Sequence, residues 1–193
     1  MSSASNAAAL AALAYAIINE QEGRRYYLAI AHHVRDEMGR RMFLGLAHDE
    51  EEHYRVLAGE YQSLLDGGGW ISVEKAKAAS VPPIEQFKVS PGDVPGAAIP
   101  EERLFPDPSR VIPGLHAGSG DREALELALK AEERGFALYR DAYERADDPN
   151  ARAAYRLLME EENRHHQWLQ RSLEYLEDNN TYWDDTEFPF FTG

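Results

Sequence analysis

Four stretches of the chain place apolar residues at the three- and four-residue spacing of a helix that buries one face. This pattern predicts helices at about 6–34, 39–65, 121–146 and 149–176. Asp121 is a plausible N-cap of the third helix, and Asp148 followed by Pro149 is typical of the N-cap and first residue of the fourth. Short connections join the first helix to the second and the third to the fourth, so each pair should form an antiparallel hairpin.

A long crossover, residues 67–120, separates the two hairpins and contains eight of the ten prolines. It has too few apolar residues for a core of its own. We expect it to wrap the bundle in extended form, with a short helix near 73–79; a mobile linker is the alternative. Residues 181–193 form an aromatic and acidic tail that we expect to pack over the bundle or a neighbouring subunit. We therefore expect one all-α domain over residues 1–193.

The two hairpins repeat each other. Shifting residues 20–53 by 112 positions lays them on residues 132–165 without a gap, and eight positions are identical. The identities include a glutamate, a glycine, a tyrosine and a Glu-x-x-His motif, which are mostly residue types that bind metals or support metal ligands. The repeat predicts a duplicated helical hairpin with pseudo-twofold symmetry about the bundle axis.

In each predicted helix a glutamate interrupts the apolar stripe, and in two helices a histidine follows one turn later. These residues are Glu20, Glu50, His53, Glu132, Glu162 and His165. A buried carboxylate is costly unless it is neutralised, and these stripes contain no Lys or Arg. Two divalent cations would balance four carboxylates, and the i, i+3 spacing places Glu and His on one helical face.

A single Glu-x-x-His motif is weak evidence, because exposed acidic helices contain many such pairs. Two motifs in register, each matched by a glutamate on another helix, indicate a metal site far more specifically. One glutamate from each of two helices, with Glu-x-x-His from each of the other two, is the ligand set of di-iron carboxylate bundles. A purely structural bundle without metals is the alternative.

These motifs resemble those of rubrerythrins and related ferritin-like di-iron proteins, over about 7–65 and 121–176. The resemblance implies a ferritin-like four-helix bundle that holds two iron ions per chain. It implies roles for all six residues: Glu50 and Glu162 bridge the metals, Glu20 and Glu132 are terminal ligands, and His53 and His165 each bind one metal. The same oxygen and nitrogen ligands also accept manganese, so a manganese or mixed centre is an alternative.

The resemblance also implies that Tyr27 and Tyr139, each seven residues after a terminal ligand, hydrogen-bond to ligand carboxylates. Ordinary core aromatics are the alternative. Asp49 and Glu161 precede the bridging glutamates, and in similar sites an acid at that position orients a histidine of the other half. The run from Glu161 to His165 fits this pattern, and Asp49 is the weaker match; for both, a solvated acidic residue is an equal alternative.

The sequence departs from the typical rubrerythrin in two respects. Where such proteins carry a further glutamate, this chain has Gly135, which the repeat pairs with Gly23. The two glycines leave room for a small oxidant or substrate, or they serve close helix packing. The sequence contains no cysteine, so it holds no rubredoxin iron site of its own.

Composition excludes several classes of partner. The net charge of −14 disfavours binding to nucleic acid or to an anionic membrane surface. The apolar run at 7–18 follows no Lys or Arg and continues with helical spacing, so we expect a helix of a cytoplasmic protein rather than a signal peptide.

By resemblance we expect an oxidoreductase of the peroxidase, oxidase or ferroxidase type. It would reduce hydrogen peroxide or dioxygen with electrons from a separate donor, and it would form a homodimer. One alternative is a ferroxidase that handles iron. Another is an oxygenase acting on a small organic substrate.

Overall fold

The structure is a computed structural model that describes residues 3–89, 99–117, 120–179 and 182. Within these residues the chain is helical, without strands. Its helices are α1 (Ser3–His33), α2 (Glu37–Leu65), α3 (Val73–Lys77), α4 (Ile112–Ala117), α5 (Asp121–Arg145) and α6 (Pro149–Asn179). The helix α1 packs along α2 and α5 packs along α6, which gives the predicted bundle of two antiparallel hairpins. No helix in the described ranges is both long enough and apolar enough to cross a membrane.

The two hairpins turn in the same way. Each connection has three residues, 34–36 in the first hairpin and 146–148 in the second, and each ends in an aspartate. Asp36 accepts hydrogen bonds from the backbone N–H groups of Met38 and Gly39, and Asp148 accepts equivalent bonds from Asn150 and Ala151. The side chains thereby satisfy N–H groups that have no partner inside the helix. The cap predicted at Asp148 is confirmed.

The cap predicted at Asp121 is wrong. Helix α5 includes Asp121 as its first residue, and its N-cap is Gly120, which has no side chain to form a capping hydrogen bond. A glycine is needed here because α4 lies so close: a Cβ atom at Gly120 would stand 2.3 Å from the backbone nitrogen of Leu115. Helix α4 was not predicted, because Pro113 and Gly114 obscure its periodicity.

The described parts of the crossover pack against the bundle. Helix α3 lies over α2 and α6, where a Cβ atom at Gly59 would stand 2.3 Å from the carbonyl oxygen of Ala76. The side chain of Gln21 donates to the carbonyl oxygens of Ile84 and Phe87. Tyr182 is buried, and the remainder of the tail at 181–193, together with residues 90–98, lies outside the described residues.

Two apolar clusters fill the bundle, one toward each end. One contains Tyr26, Phe43, Leu46, Val111 and Leu125, and the other contains Leu13, Ile17, Leu57, Leu64 and Leu158. On each long helix the glutamate of the predicted site lies between the residues that enter these two clusters. The carboxylates are therefore enclosed by apolar packing from both ends of the bundle.

Candidate metal centre

The structure brings all six predicted ligands together in the interior of the bundle. Each is at most 4% exposed, which is unusual for ionisable side chains. Helices α1 and α5 each contribute a glutamate, and α2 and α6 each contribute a glutamate and a histidine one turn apart. The residues are Glu20, Glu50, His53, Glu132, Glu162 and His165.

The donor atoms form two groups, each able to hold a cation. In the first, Nδ1 of His53 lies 3.3 Å from Glu20 Oε2, 3.8 Å from Glu50 Oε2 and 3.6 Å from Glu162 Oε1. The two imidazole rings stack with their centroids 5.3 Å apart.

In the second group, Nδ1 of His165 lies 3.8 Å from Glu50 Oε1 and 3.5 Å from Glu132 Oε2. Glu50 thus faces both histidines, one with each carboxylate oxygen. Glu162 contacts His53, and the charge of the neighbouring Glu132 helps to raise the pKa of Glu162. Glu50 therefore belongs to both groups of donor atoms, whereas Glu162 belongs to the first.

The donor atoms fit a pair of metal ions. Glu50 Oε1, Glu132 Oε2 and His165 Nδ1 are buried and have no hydrogen-bond partner among the described residues. A buried polar atom left unpaired costs about 1–3 kcal/mol, so three in one place call for a common partner. Ligands at about 2.0–2.2 Å from an ion stand about 3–3.5 Å from one another, close to the separations observed.

The carboxylates form two coupled pairs. Burial and the neighbouring charge of Glu20 raise the pKa of Glu50 well above its ordinary value, and burial and Glu132 do the same for Glu162. Burial would also raise the pKa of Glu20 and Glu132, but several neighbours together outweigh burial and lower both. Glu50, His53 and Tyr139 lower the pKa of Glu20, and Glu162, His165 and Tyr27 lower that of Glu132. Within each pair, the surroundings favour the protonated form of one carboxyl group, and a cation bound between the two would replace that proton.

Two tyrosines cross the bundle to hold the terminal carboxylates. The Tyr27 hydroxyl on α1 donates to Glu132 on α5, and the Tyr139 hydroxyl on α5 donates to Glu20 on α1. Burial and the facing carboxylates raise the pKa of both phenols well above the ordinary value, so both remain protonated donors. Each hairpin thereby orients a predicted ligand of the other.

The acids that precede Glu50 and Glu162 differ from each other, and the preference for Glu161 over Asp49 is wrong. Asp49 Oδ2 lies 3.2 Å from Nε2 of His165, the position of an acid that orients a histidine of the other half. Burial would raise the pKa of Asp49, but the hydrogen bond and charge of His165 lower it. The repeat partner of Asp49, Glu161, instead forms an ion pair with Arg164 on its own helix.

Gly23 serves close packing rather than substrate access. A Cβ atom at Gly23 would stand 2.8 Å from Cε2 of Phe105, which comes from the crossover and also packs on Tyr26 and Tyr27. A Cβ atom at Gly135 would stand 3.0 Å from Glu162 Oε2. Sequence reasoning missed Phe105, whose only signal was an apolar pair, Leu104 and Phe105, in a proline-rich segment.

A helical bundle that gathers four glutamates and two histidines at its centre defines the class of ferritin-like di-metal carboxylate proteins. The model of the Rubrerythrin family matches residues 11–98 and 123–190, which include all six predicted ligands. This chain belongs to the rubrerythrin family, a family of non-haem di-iron proteins that are typically oxidoreductases. Comparison with curated proteins and with solved structures gave no significant match.

Proposed function

We propose that this chain is a non-haem di-iron oxidoreductase that reduces hydrogen peroxide or dioxygen with electrons from a separate donor. The observation that carries the proposal is the convergence of six buried side chains, four of which hold a donor atom without a hydrogen-bond partner among the described residues. Two ferrous ions held there would each supply one electron and would polarise the bound oxidant as Lewis acids.

The chain's own residues would set up this chemistry. Glu50 and Glu162 would bridge the metals, and the hydroxyl groups of Tyr27 and Tyr139 would fix the orientation of the terminal carboxylates. Phe105 and the apolar clusters at both ends of the site would exclude bulk water. A dry, fixed ligand shell strengthens electrostatic interactions between the protein and a charged centre.

Stopped-flow absorption of the diferrous protein tests the proposal. Mixing with hydrogen peroxide or with dioxygen should oxidise the iron, and at least one of these oxidants should do so within seconds. Iron that stays ferrous with both oxidants would contradict the proposal. The metal content should be measured first. We expect about two irons per chain in the parent and far fewer in Glu50→Ala and in Glu162→Ala.

Iron handling is a second candidate, in which ferrous ions are oxidised at the centre and passed on. Two observations favour it: Gly135 stands where typical rubrerythrins carry a further glutamate, and the net charge of −14 attracts cations. Adding many equivalents of ferrous iron separates the two functions. If the chain handles iron, ferric iron should continue to accumulate in the soluble protein. If the iron is a resident cofactor, binding should stop near two metals per chain.

An organic substrate is less compatible with this site. The cavity that reaches His53 has a volume of about 140 Å³ and is lined mainly by charged side chains. Such a space admits water-sized molecules and ions, and the space beside Gly23 is filled by Phe105. We also propose a homodimer, which light scattering on the purified chain would test.

A further inference from the structure

A small cavity is lined by His53, whose Nδ1 atom faces Glu20 in the centre. It lies between α2 and α6, and Lys77 of α3 stands at its rim. Its volume of about 140 Å³ is enough for a few water molecules or a hydrated cation. We call this space the outer cavity.

His53 faces both the centre and the outer cavity. Its Nδ1 atom lies 3.3 Å from Glu20 Oε2, whereas its buried Nε2 atom has no hydrogen-bond partner among the described residues. The side chain is only 5% exposed. A neutral imidazole that donates from Nδ1 to Glu20 offers the lone pair of Nε2 to the outer cavity.

Glu161 supplies a second ligand at the same place. His53, Glu161 and His165 each present a ligand atom, and these atoms lie within 4.8 Å of one another. The Nε2 atom of His165 is engaged by Asp49, so His53 and Glu161 are the remaining members, and Glu161 is paired with the displaceable guanidinium of Arg164. Three acids and two bases line the outer cavity, an excess of negative charge that favours a cation: Asp49, Glu52, Glu161, Lys77 and Arg164.

We propose that the outer cavity captures the divalent cations on their way to the centre, with Nε2 of His53 and Glu161 as their first protein ligands. The inference rests on the proposed di-metal centre.

The guanidinium of Arg164 competes with the captured cation for the carboxylate of Glu161. It forms an ion pair with Glu161 and packs over the ring of Trp168, 5.2 Å from its centroid. A cation must displace this guanidinium before Glu161 can bind it. Removing the carboxylate of Glu161 should therefore slow the uptake of metal ions, and removing the guanidinium of Arg164 should accelerate it.

The test measures uptake of Co²⁺ by the full chain after its metals have been removed with a chelator. Stopped-flow absorption of the bound Co²⁺ gives the rate, and metal analysis after desalting gives the final stoichiometry. We expect Glu161→Gln to slow uptake by about tenfold while about two Co²⁺ per chain are still bound at equilibrium. Arg164→Gln should accelerate uptake. Glu160→Gln is the control, because the side chain of Glu160 is 64% exposed and precedes Glu161 by one residue, and it should bind Co²⁺ at the parent rate.

The outcomes separate this inference from the proposed function. A parent chain that retains no Co²⁺ would overturn the di-metal centre, and the capture site with it. If the parent binds two Co²⁺ and Glu161→Gln loads at the parent rate, capture is overturned and the centre stands. A lower final stoichiometry in Glu161→Gln would also overturn capture, because Glu161 would then support the resident ions.

Discussion

Asp49 and Glu161 occupy equivalent positions in the repeat but do different things. Asp49 reaches His165 across the bundle, whereas Glu161 pairs with Arg164 one turn along α6. The difference follows from a single neighbour, because the residue equivalent to Arg164 in the first hairpin is Glu52. Glu52 cannot form the ion pair that Arg164 forms with Glu161, and Asp49 instead accepts a hydrogen bond from His165.

Asp49→Ala should weaken metal binding by about 10- to 100-fold, because His165 loses the group that fixes its ring orientation. Competition for Co²⁺ against a chelator of known affinity measures the effect. Glu160→Ala, which removes a mostly exposed acid from α6, serves as the control and should bind with the parent affinity. Equal affinities for the parent and Asp49→Ala would show that the contact does not support a ligand.

Glu60 is a buried acid outside the metal centre. Its Oε2 accepts a hydrogen bond from the backbone N–H of Ile71, and its Oε1 has no hydrogen-bond partner among the described residues. Burial raises its pKa from 4.5 to about 7. The raised pKa means that folding favours the protonated form. Stability is therefore unaffected below pH 4.5, falls as the pH rises toward 7, and stays reduced above it.

Glu60→Gln should remove this pH-dependent cost. At pH 8 we expect the variant to exceed the parent in free energy of unfolding by about 2–3 kcal/mol, with the difference shrinking toward zero near pH 4.5. Urea denaturation at both pH values measures it, with Glu144→Gln on the exposed face of α5 as the control. A difference between Glu60→Gln and the parent that does not change with pH would refute the assignment.

At the scale of elements, the crossover contributes directly to the packing around the ligands. The ring of Phe105 is 8% exposed and packs on Tyr26 and Tyr27, and the backbone N–H of Leu104 donates to Asn19 on α1. The absence of a side chain at Gly23 leaves the space for this ring. The crossover therefore closes the side of α1 next to the site.

A double-mutant cycle tests this closure. Gly23→Ala should destabilise the chain by about 1–3 kcal/mol through overpacking. In a Phe105→Ala background the same change should cost less, with a coupling of about 1 kcal/mol. Gly135→Ala is the matched control, because its Cβ atom would meet Glu162 and not Phe105. Additive effects of Gly23→Ala and Phe105→Ala in urea denaturation would contradict the closure.

At the scale of the whole molecule, the centre joins the two hairpins, which also share the two apolar clusters. Tyr27 and Tyr139 each connect α1 with α5, and the four ligand-bearing helices meet around Glu50 and Glu162. Cations bound there would bind the folded chain and not the unfolded one. Metal binding should therefore stabilise the entire fold.

Adding Mn²⁺ to the chelator-treated protein should raise its melting temperature, by an amount that grows with the Mn²⁺ concentration. A single site gains about 2.7 kcal/mol at 100 times its Kd. Differential scanning calorimetry measures the shift, which Glu50→Ala should largely abolish and Glu160→Ala should retain. An equal shift in the parent and in Glu50→Ala would place the stabilising ions elsewhere.

The long helices, their pairing into hairpins and the register of Glu20, Glu50, Glu132 and Glu162 could be predicted from the sequence. Helical periodicity and a duplicated pattern are local properties, readable from spacing alone. The assignment of the six residues as metal ligands stays a prediction.

Only the tertiary structure decided which acid meets a histidine, what fills the space at Gly23, and where α5 begins. These depend on residues far apart in the chain: Asp49 meets His165, Gly23 meets Phe105, and Gly120 is fixed by α4. Contacts of this kind follow from how the hairpins and the crossover pack, and no spacing within one helix encodes them.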